Sequence, residues 1–206
     1  MNQTQIVREY IEQINANTPI FLANVKNLVG ENAKMIMTRL VRDGVVARFG
    51  QGIYYKPTKT IWGNSVIGND AIIKYKYIED EHGNIKGYVT GAKLFNYLGL
   101  TTQVPRMTEV VSNECRGKNR TITEYGAVVR RPKIKVNNDN YLYQQLLDVI
   151  ENRTSVQIEV GAPKTIMQDF YNNNNLDYTK LHKVGIERGI TKNDLYTISR
   201  LLLEVQ

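Results

Sequence analysis

Near the N-terminus, Ile6, Val7, Tyr10, Ile11 and Ile14 recur at the spacing of one helical face and predict an amphipathic helix over 4–14. Turn formers at 15–19 interrupt it, and an apolar segment at 20–28 has the length for a short second helix. Val29-Gly30 marks a tight turn, after which a third helix is predicted over 31–43, ended by Gly44. Two β-rich runs, 45–49 and 53–56, flank Gly50-Gln51-Gly52, the composition of a hairpin tip with positive φ, and Pro57 closes the unit. Three helices followed by a hairpin are the order of a winged helix-turn-helix.

Beyond it, 58–68 reads as a linker with Ile61 and Trp62 as packing anchors. A helix is predicted over 69–78, capped by Asn69-Asp70, then a charged turn at 79–83. The run 87–90 leads into a helix stopped at Leu98-Gly99. Short strands are expected at 107–111, 120–124, 127–131 and 133–136. Leu142, Leu146, Leu147 and Ile150 stand in register on a helix over 139–152. The segment 156–160 reads as strand or loop, and the polar 169–175 as irregular. Helices follow at 176–188 and 191–205, the second opened by an approximate Thr191/Asp194 capping box. The expected class is α+β. A winged helix-turn-helix occupies 1–57, with a linker at 58–68. A larger mixed α/β domain with a small sheet and a helical C-terminus covers 69–206.

On a wheel of about 100° per residue with Lys34 at zero, Thr38, Arg42, Met35 and Arg39 fall between about 40° and 140°. Ala33, Ile36, Met37, Leu40 and Val41 take the opposite side. The outward face of the third helix is therefore cationic, with Met35 among the cations. Lys34, Arg39 and Arg42 have the donors to meet phosphates or guanine edges in a major groove. Thr38 is short enough for close approach, and Met35 suits thymine methyls. Arg48 and Gln51 sit on or beside the hairpin, within reach of a phosphate or the minor groove, and Lys26 and Lys56 are candidates for backbone phosphates.

Charge distribution strengthens this picture. The whole chain carries +7 with 27 Lys and Arg against 20 Asp and Glu. The excess is concentrated in 1–60 and 105–135, whereas 61–104 is neutral and 136–206 mildly acidic. A polyanionic partner is the expectation. No apolar run is long enough to span a bilayer, the first twenty residues do not form a secretory signal, and a reducing cytoplasm is the expected compartment. A single cysteine, Cys115, and two distant histidines, His82 and His182, exclude an internal disulfide and a Cys/His zinc cluster.

Catalytic patterns are missing. There is no P-loop, GxGxxG, GxSxG, HExxH or CxxC, and no Asp or Glu is followed two positions later by Lys, as many restriction-type nucleases require. No catalytic residue, metal site or cofactor is predicted, and a DNA-processing enzyme is disfavoured. Arg116, Lys118, Arg120, Arg130, Arg131, Lys133 and Lys135 form a second basic block. On a strand, Arg131, Lys133 and Lys135 would project together, as a second surface for DNA or for an acidic partner.

The segments Ala33-Lys-Met-Ile-Met-Thr-Arg-Leu-Val-Arg-Asp-Gly44 and Arg48-Phe-Gly-Gln-Gly-Ile-Tyr54 resemble the AbiEi-type antitoxins of bacterial toxin–antitoxin systems. So do Tyr88-Val-Thr-Gly-Ala-Lys-Leu-Phe-Asn-Tyr-Leu-Gly-Leu-Thr-Thr-Gln-Val-Pro105 and Thr108-Glu-Val-Val-Ser-Asn113. The resemblance covers about residues 1–135, and the C-terminal third matches only in helical character. It implies a non-enzymatic autorepressor that binds double-stranded DNA at repeats in its own promoter and counteracts a nucleotidyltransferase-like toxin. Lys34, Thr38, Arg39, Arg42 and Arg48 would then contact the operator. The alternative is a one-component winged-helix regulator whose C-terminal domain senses a small molecule.

Overall fold

A computed structural model describes residues 2–152 and 163–203. The expected strand or loop at 156–160 and the last residues of the C-terminal helix lie outside them. The chain divides into two compact units, Met1–Tyr75 and Lys76–Gln206. Both mix helices with small sheets, and the class is α+β.

The first unit opens with α1 (Gln3–Gln13), whose N-cap Asn2 accepts a hydrogen bond from the Thr4 amide. Strand β1 (Pro19–Phe21) precedes α2 (Leu22–Val29). The apolar segment at 20–28, read as long enough for a short helix, begins as a strand, because Ile20 and Phe21 pair with Tyr54 and Ile53, and becomes helical from Leu22. Gly30 turns the chain at φ 66°, a 3-10 turn covers Gly30–Asn32, and α3 spans Ala33–Arg42. Gly44 leaves the helix at φ 72°. Strands β2 (Ala47–Gly50) and β3 (Ile53–Tyr55) complete a three-stranded antiparallel sheet in the order β1-β3-β2. The register shifts between Arg48 and Gly50, leaving Phe49 as the extra residue of a bulge. Val7, Ile11, Val25, Ile36, Met37 and Leu40 meet in one core with Ile20 and Tyr54 from the strands and Val46 from the bend before β2.

The stretch read as a linker is ordered as a second small hairpin, β4 (Lys59–Thr60) and β5 (Gly63–Asn64). Its base is tied down: the Thr58 amide donates to Ser65 Oγ at 2.8 Å, and Tyr55 Oη donates to the Ser65 carbonyl at 3.2 Å. Ile61 and Trp62, expected as packing anchors, stand at its tip 92% and 91% exposed. A two-residue connection between paired strands points both side chains outward and gives them nothing to pack on. Helix α4 (Asn69–Ile73) then runs into a π-helical turn, Lys74–Ile78, within which the two units divide. The N-cap of α4 is Gly68, which has no side chain to cap with, rather than Asn69 or Asp70.

In the second unit, β6 (Gly87–Thr90) leads into α5 (Gly91–Tyr97) and is followed by β7 (Thr108–Ser112), β8 (Arg120–Ile122) and β9 (Ala127–Arg130). The sheet order is β6-β7-β9-β8, with β7 and β9 parallel and the outer pairs antiparallel. Gly87 is required where it stands, because a Cβ there would run into the Tyr77 and Val111 carbonyls. The expected strand at 133–136 does not form, so no cationic sheet face exists there. Pro132 lacks an amide donor, and the chain departs from the sheet after Arg130.

Helix α6 (Tyr141–Asn152) packs on β6, and Gln145 Nε2 donates to the Val89 carbonyl at 2.9 Å. Helices α7 (Pro163–Asn173), α8 (Tyr178–Glu187) and α9 (Lys192–Leu203) complete the unit. The asparagine-rich stretch expected to be irregular largely belongs to α7, where buried Met167 and Tyr171 anchor one face and asparagines mark only the end. Leu94, Phe95, Leu146, Ile150, Leu181 and Leu195 represent the shared helical core. Thr191 and Asp194 bond as a cap, the Asp194 amide donating to Thr191 Oγ1 at 3.2 Å.

Candidate nucleic-acid interface

Helix α3 buries Ala33, Ile36, Met37 and Leu40 and exposes Lys34, Met35, Thr38, Arg39 and Arg42. The apolar side is fixed by the core, so the polar side has no choice but to face outward. Thr38 Oγ1 donates back to the Lys34 carbonyl at 2.8 Å, which keeps its methyl outward and its hydroxyl occupied. Arg39 Nη2 lies 3.7 Å from Met35 Sδ, so the cation and the apolar side chain share one patch. Among the described residues Lys34 and Arg39 have no carboxylate partner. Arg42 reaches Asp43 at 3.7 Å, but that carboxylate also accepts from Arg8 at 3.3 Å.

The β2–β3 hairpin places Arg48 and Gln51 on the exposed surface of the same unit. Gly52, at φ 73°, makes the turn that a side-chain-bearing residue would resist, whereas Gly50 is not in the left-handed region. Arg48 Nε donates to the Gly50 carbonyl at 3.1 Å, bracing the guanidinium along its own strand and leaving its terminal nitrogens for an acceptor.

Lys26 and Lys56 differ from this set. Lys26 pairs with Glu31 at 3.0 Å. Lys56 Nζ donates to the Ile11 and Glu12 carbonyls, both at 3.3 Å, closing the C-terminal end of α1. Its ammonium is thereby tied to the end of α1.

The second basic block is distributed over several elements. Arg116, Lys118 and Arg120 lie exposed on the β7–β8 connection and β8, and Arg120 donates to the Glu114 carbonyl at 3.0 Å. Arg130 is paired with Glu109. Lys135 is exposed on the segment leading to α6. Arg130, Arg131 and Lys133 instead line a cleft of about 310 Å³ together with Arg188, Asp148 and Glu151.

Sequence reading missed the cleft because its floor joins β6, α6 and the end of α8. Arg188 is buried and donates to the Gln144 carbonyl at 2.7 Å and to Glu151 at 2.7 Å, and pairs with Asp148. Asp148 Oδ2 also accepts from Thr90 Oγ1 at 3.0 Å. Burial alone would lower the Arg188 pKa, and Asp148, Tyr88 and Glu151 together more than offset it, so the guanidinium stays charged. Tyr88 sits beside this pair with its pKa raised, first by burial and then by Asp148, and is a neutral phenol at ordinary pH. The sequence carried no signal for the cleft: on the wheel of α6, Asp148 falls opposite Leu142, Leu146, Leu147 and Ile150, beside Gln144 and Glu151, where a solvated acid is expected.

Cys115 is buried with its Sγ 3.5 Å from the Lys118 carbonyl and 3.6 Å from that of Val129. His182 Nε2 is 2.8 Å from Ser199 Oγ, and its ring lies 4.5 Å from that of Tyr178. His82 is exposed in the turn organised by Asp80. Among the described residues no group of three or more His, Cys, Asp and Glu is placed to hold a metal ion, and no helix is long and apolar enough to cross a membrane.

Compared with curated protein sequences, the chain has no match. It does match a family of unknown function, DUF6088, across residues 6–167, which takes in the α3 face, both hairpins and the sheet of the second unit. The chain therefore belongs to the DUF6088 family.

Proposed function

We propose that this chain is a winged helix-turn-helix DNA-binding regulator, with α3 as the recognition helix and the β2–β3 hairpin as the wing. The element order α1-β1-α2-α3-β2-β3 supports it, as does a β1 strand that pairs with β3 rather than standing apart. The observation that carries the reading is the outward face of α3: Lys34 and Arg39 exposed without carboxylate partners among the described residues, on a helix whose other side is sealed in the core. Charges left unneutralised on a rigid convex element fit a polyanion, and a duplex groove admits a helix. Arg48 and Gln51 on the wing would add a phosphate or minor-groove contact.

The AbiEi-type resemblance extends the proposal to a promoter-binding antitoxin that represses its own operon and counteracts a nucleotidyltransferase-like toxin. An alternative is a one-component regulator responding to a small molecule. The specific observation in its favour is the polar cleft around Arg188.

The test is a mobility-shift titration of the full chain against the DNA upstream of its own reading frame. Arg39→Ala is expected to weaken specific binding by about 1–3 kcal/mol, with a smaller effect on unrelated duplex. Equal affinities for the native chain and the variant would remove α3 from the interface. Rescue of a neighbouring nucleotidyltransferase-like gene's toxicity by co-expression tests the antitoxin extension.

A further inference from the structure

We propose that the cleft of the second unit is a binding site for a small phosphomonoester carrying hydroxyl groups, of the size of a sugar phosphate. Among the described residues, four cationic side chains and two carboxylates line it, and both carboxylates are already paired. Asp148 is held by Arg188 and Thr90, and Glu151 accepts from Arg188 at 2.7 Å and from Lys133 at 2.9 Å. A cation entering the cleft would have to break these pairs. An anion would not.

The cationic excess is concentrated where a ligand would enter. Arg131 and Lys133 are exposed, and Arg131 has no carboxylate partner among the described residues. Arg130 is held in place by Glu109, which lies outside the lining and so fixes the guanidinium without occupying the cleft. Three cations around one opening suit a dianionic phosphate better than a single carboxylate, since each oxygen can take a charge-assisted hydrogen bond. The rest of the lining supplies neutral donors and acceptors: the side chains of Asn119 and Asn152, the Thr90 hydroxyl, and the Tyr88 phenol that burial keeps protonated. These match hydroxyl groups. Among the described residues of the lining, Val111 is the one apolar side chain apart from Tyr88, so these residues offer a nucleobase little to stack on. About 310 Å³ is at the small end of ligand sites, which favours a compact ligand.

This inference gives a ligand class to the small-molecule alternative above, but its readout is binding alone, so its failure leaves the DNA-binding reading intact. The full chain is titrated calorimetrically with ribose 5-phosphate, inorganic phosphate and ribose. Saturable binding of ribose 5-phosphate, tighter than inorganic phosphate and with none for ribose, is expected. Arg131→Ala, at an exposed position that the fold does not use, should weaken it about tenfold or more, while Arg116→Ala, outside the cleft, should leave it unchanged. No saturable binding, binding of ribose as tight as its phosphate, or unchanged affinity in Arg131→Ala would overturn the proposal.

Discussion

At the scale of single residues, the arrangement that most constrains the second unit is the buried Arg188 with Asp148. A buried ion pair contributes little beyond its desolvation cost while both partners are present, but removing one strands the other. Asp148→Ala leaves Arg188 with the Gln144 carbonyl and the more exposed Glu151 carboxylate and frees Thr90 Oγ1 of its acceptor. The expected cost is about 3–5 kcal/mol, read as a lowered urea midpoint; a midpoint equal to that of the native chain would show that Glu151 suffices. Tyrosines give a second prediction. Tyr88 and Tyr125 have pKa values raised first by burial, and so does Tyr77, whose hydroxyl is 2.8 Å from that of Tyr125. A raised folded-state value means the protonated form stabilises the fold fully below the unfolded value of about 10. That contribution is lost as pH climbs above it. In a spectrophotometric titration of the 13 tyrosines, a subset should resist ionisation until the protein unfolds at alkaline pH. Simultaneous ionisation of all of them near the ordinary value, with the fold intact, would contradict the burial argument.

At the scale of elements, legibility in the sequence followed the strength of the local signal. The amphipathic spacing in α1 and α3 and the stops at Gly44 and Gly99 were readable because helix period and left-handed glycine are local properties. β1 was not, because Pro19–Phe21 becomes a strand only through pairing with β3, more than thirty residues on. Lys133 and Lys135 alternate like strand residues, yet the segment has no neighbouring strand to join after Pro132. Asparagines at the end of α7 outweighed the buried Met167 and Tyr171 in a reading by composition. For the candidate interface, the exposed face of α3 followed from its wheel; the cleft did not, since Thr90, Asp148 and Arg188 meet only in three dimensions. Trp62 is the most instructive case: hydrophobicity argued for an anchor, whereas a two-residue hairpin tip sends it to solvent. Because it is the chain's single tryptophan, its emission should match that of indole in water and be quenched by iodide nearly as in the unfolded chain. A blue-shifted emission protected from iodide would mean that Trp62 is covered.

At the scale of the whole molecule, the charge excess and the fold tell one story. The N-terminal unit spends Lys26 on Glu31 and Lys56 on the end of α1, and leaves Lys34, Arg39 and Arg48 without carboxylate partners among the described residues. In the second unit the cations are divided between exposed positions on β8 and its approach and a cleft where Arg130, Lys133 and Arg188 are paired with acids and Arg131 has no carboxylate partner among the described residues. This division is what the two proposals rest on, a nucleic acid for the first unit and a small anion for the second. The most direct test of the central claim is the salt dependence of binding, measured by fluorescence anisotropy on labelled duplex from the chain's own upstream region. The logarithm of the association constant should fall linearly with the logarithm of salt concentration, by about 0.9 per phosphate neutralised. In a chain carrying both Lys34→Ala and Arg39→Ala, the affinity should drop and the slope become shallower. Native and doubly substituted chains giving the same affinity and the same slope would contradict the account.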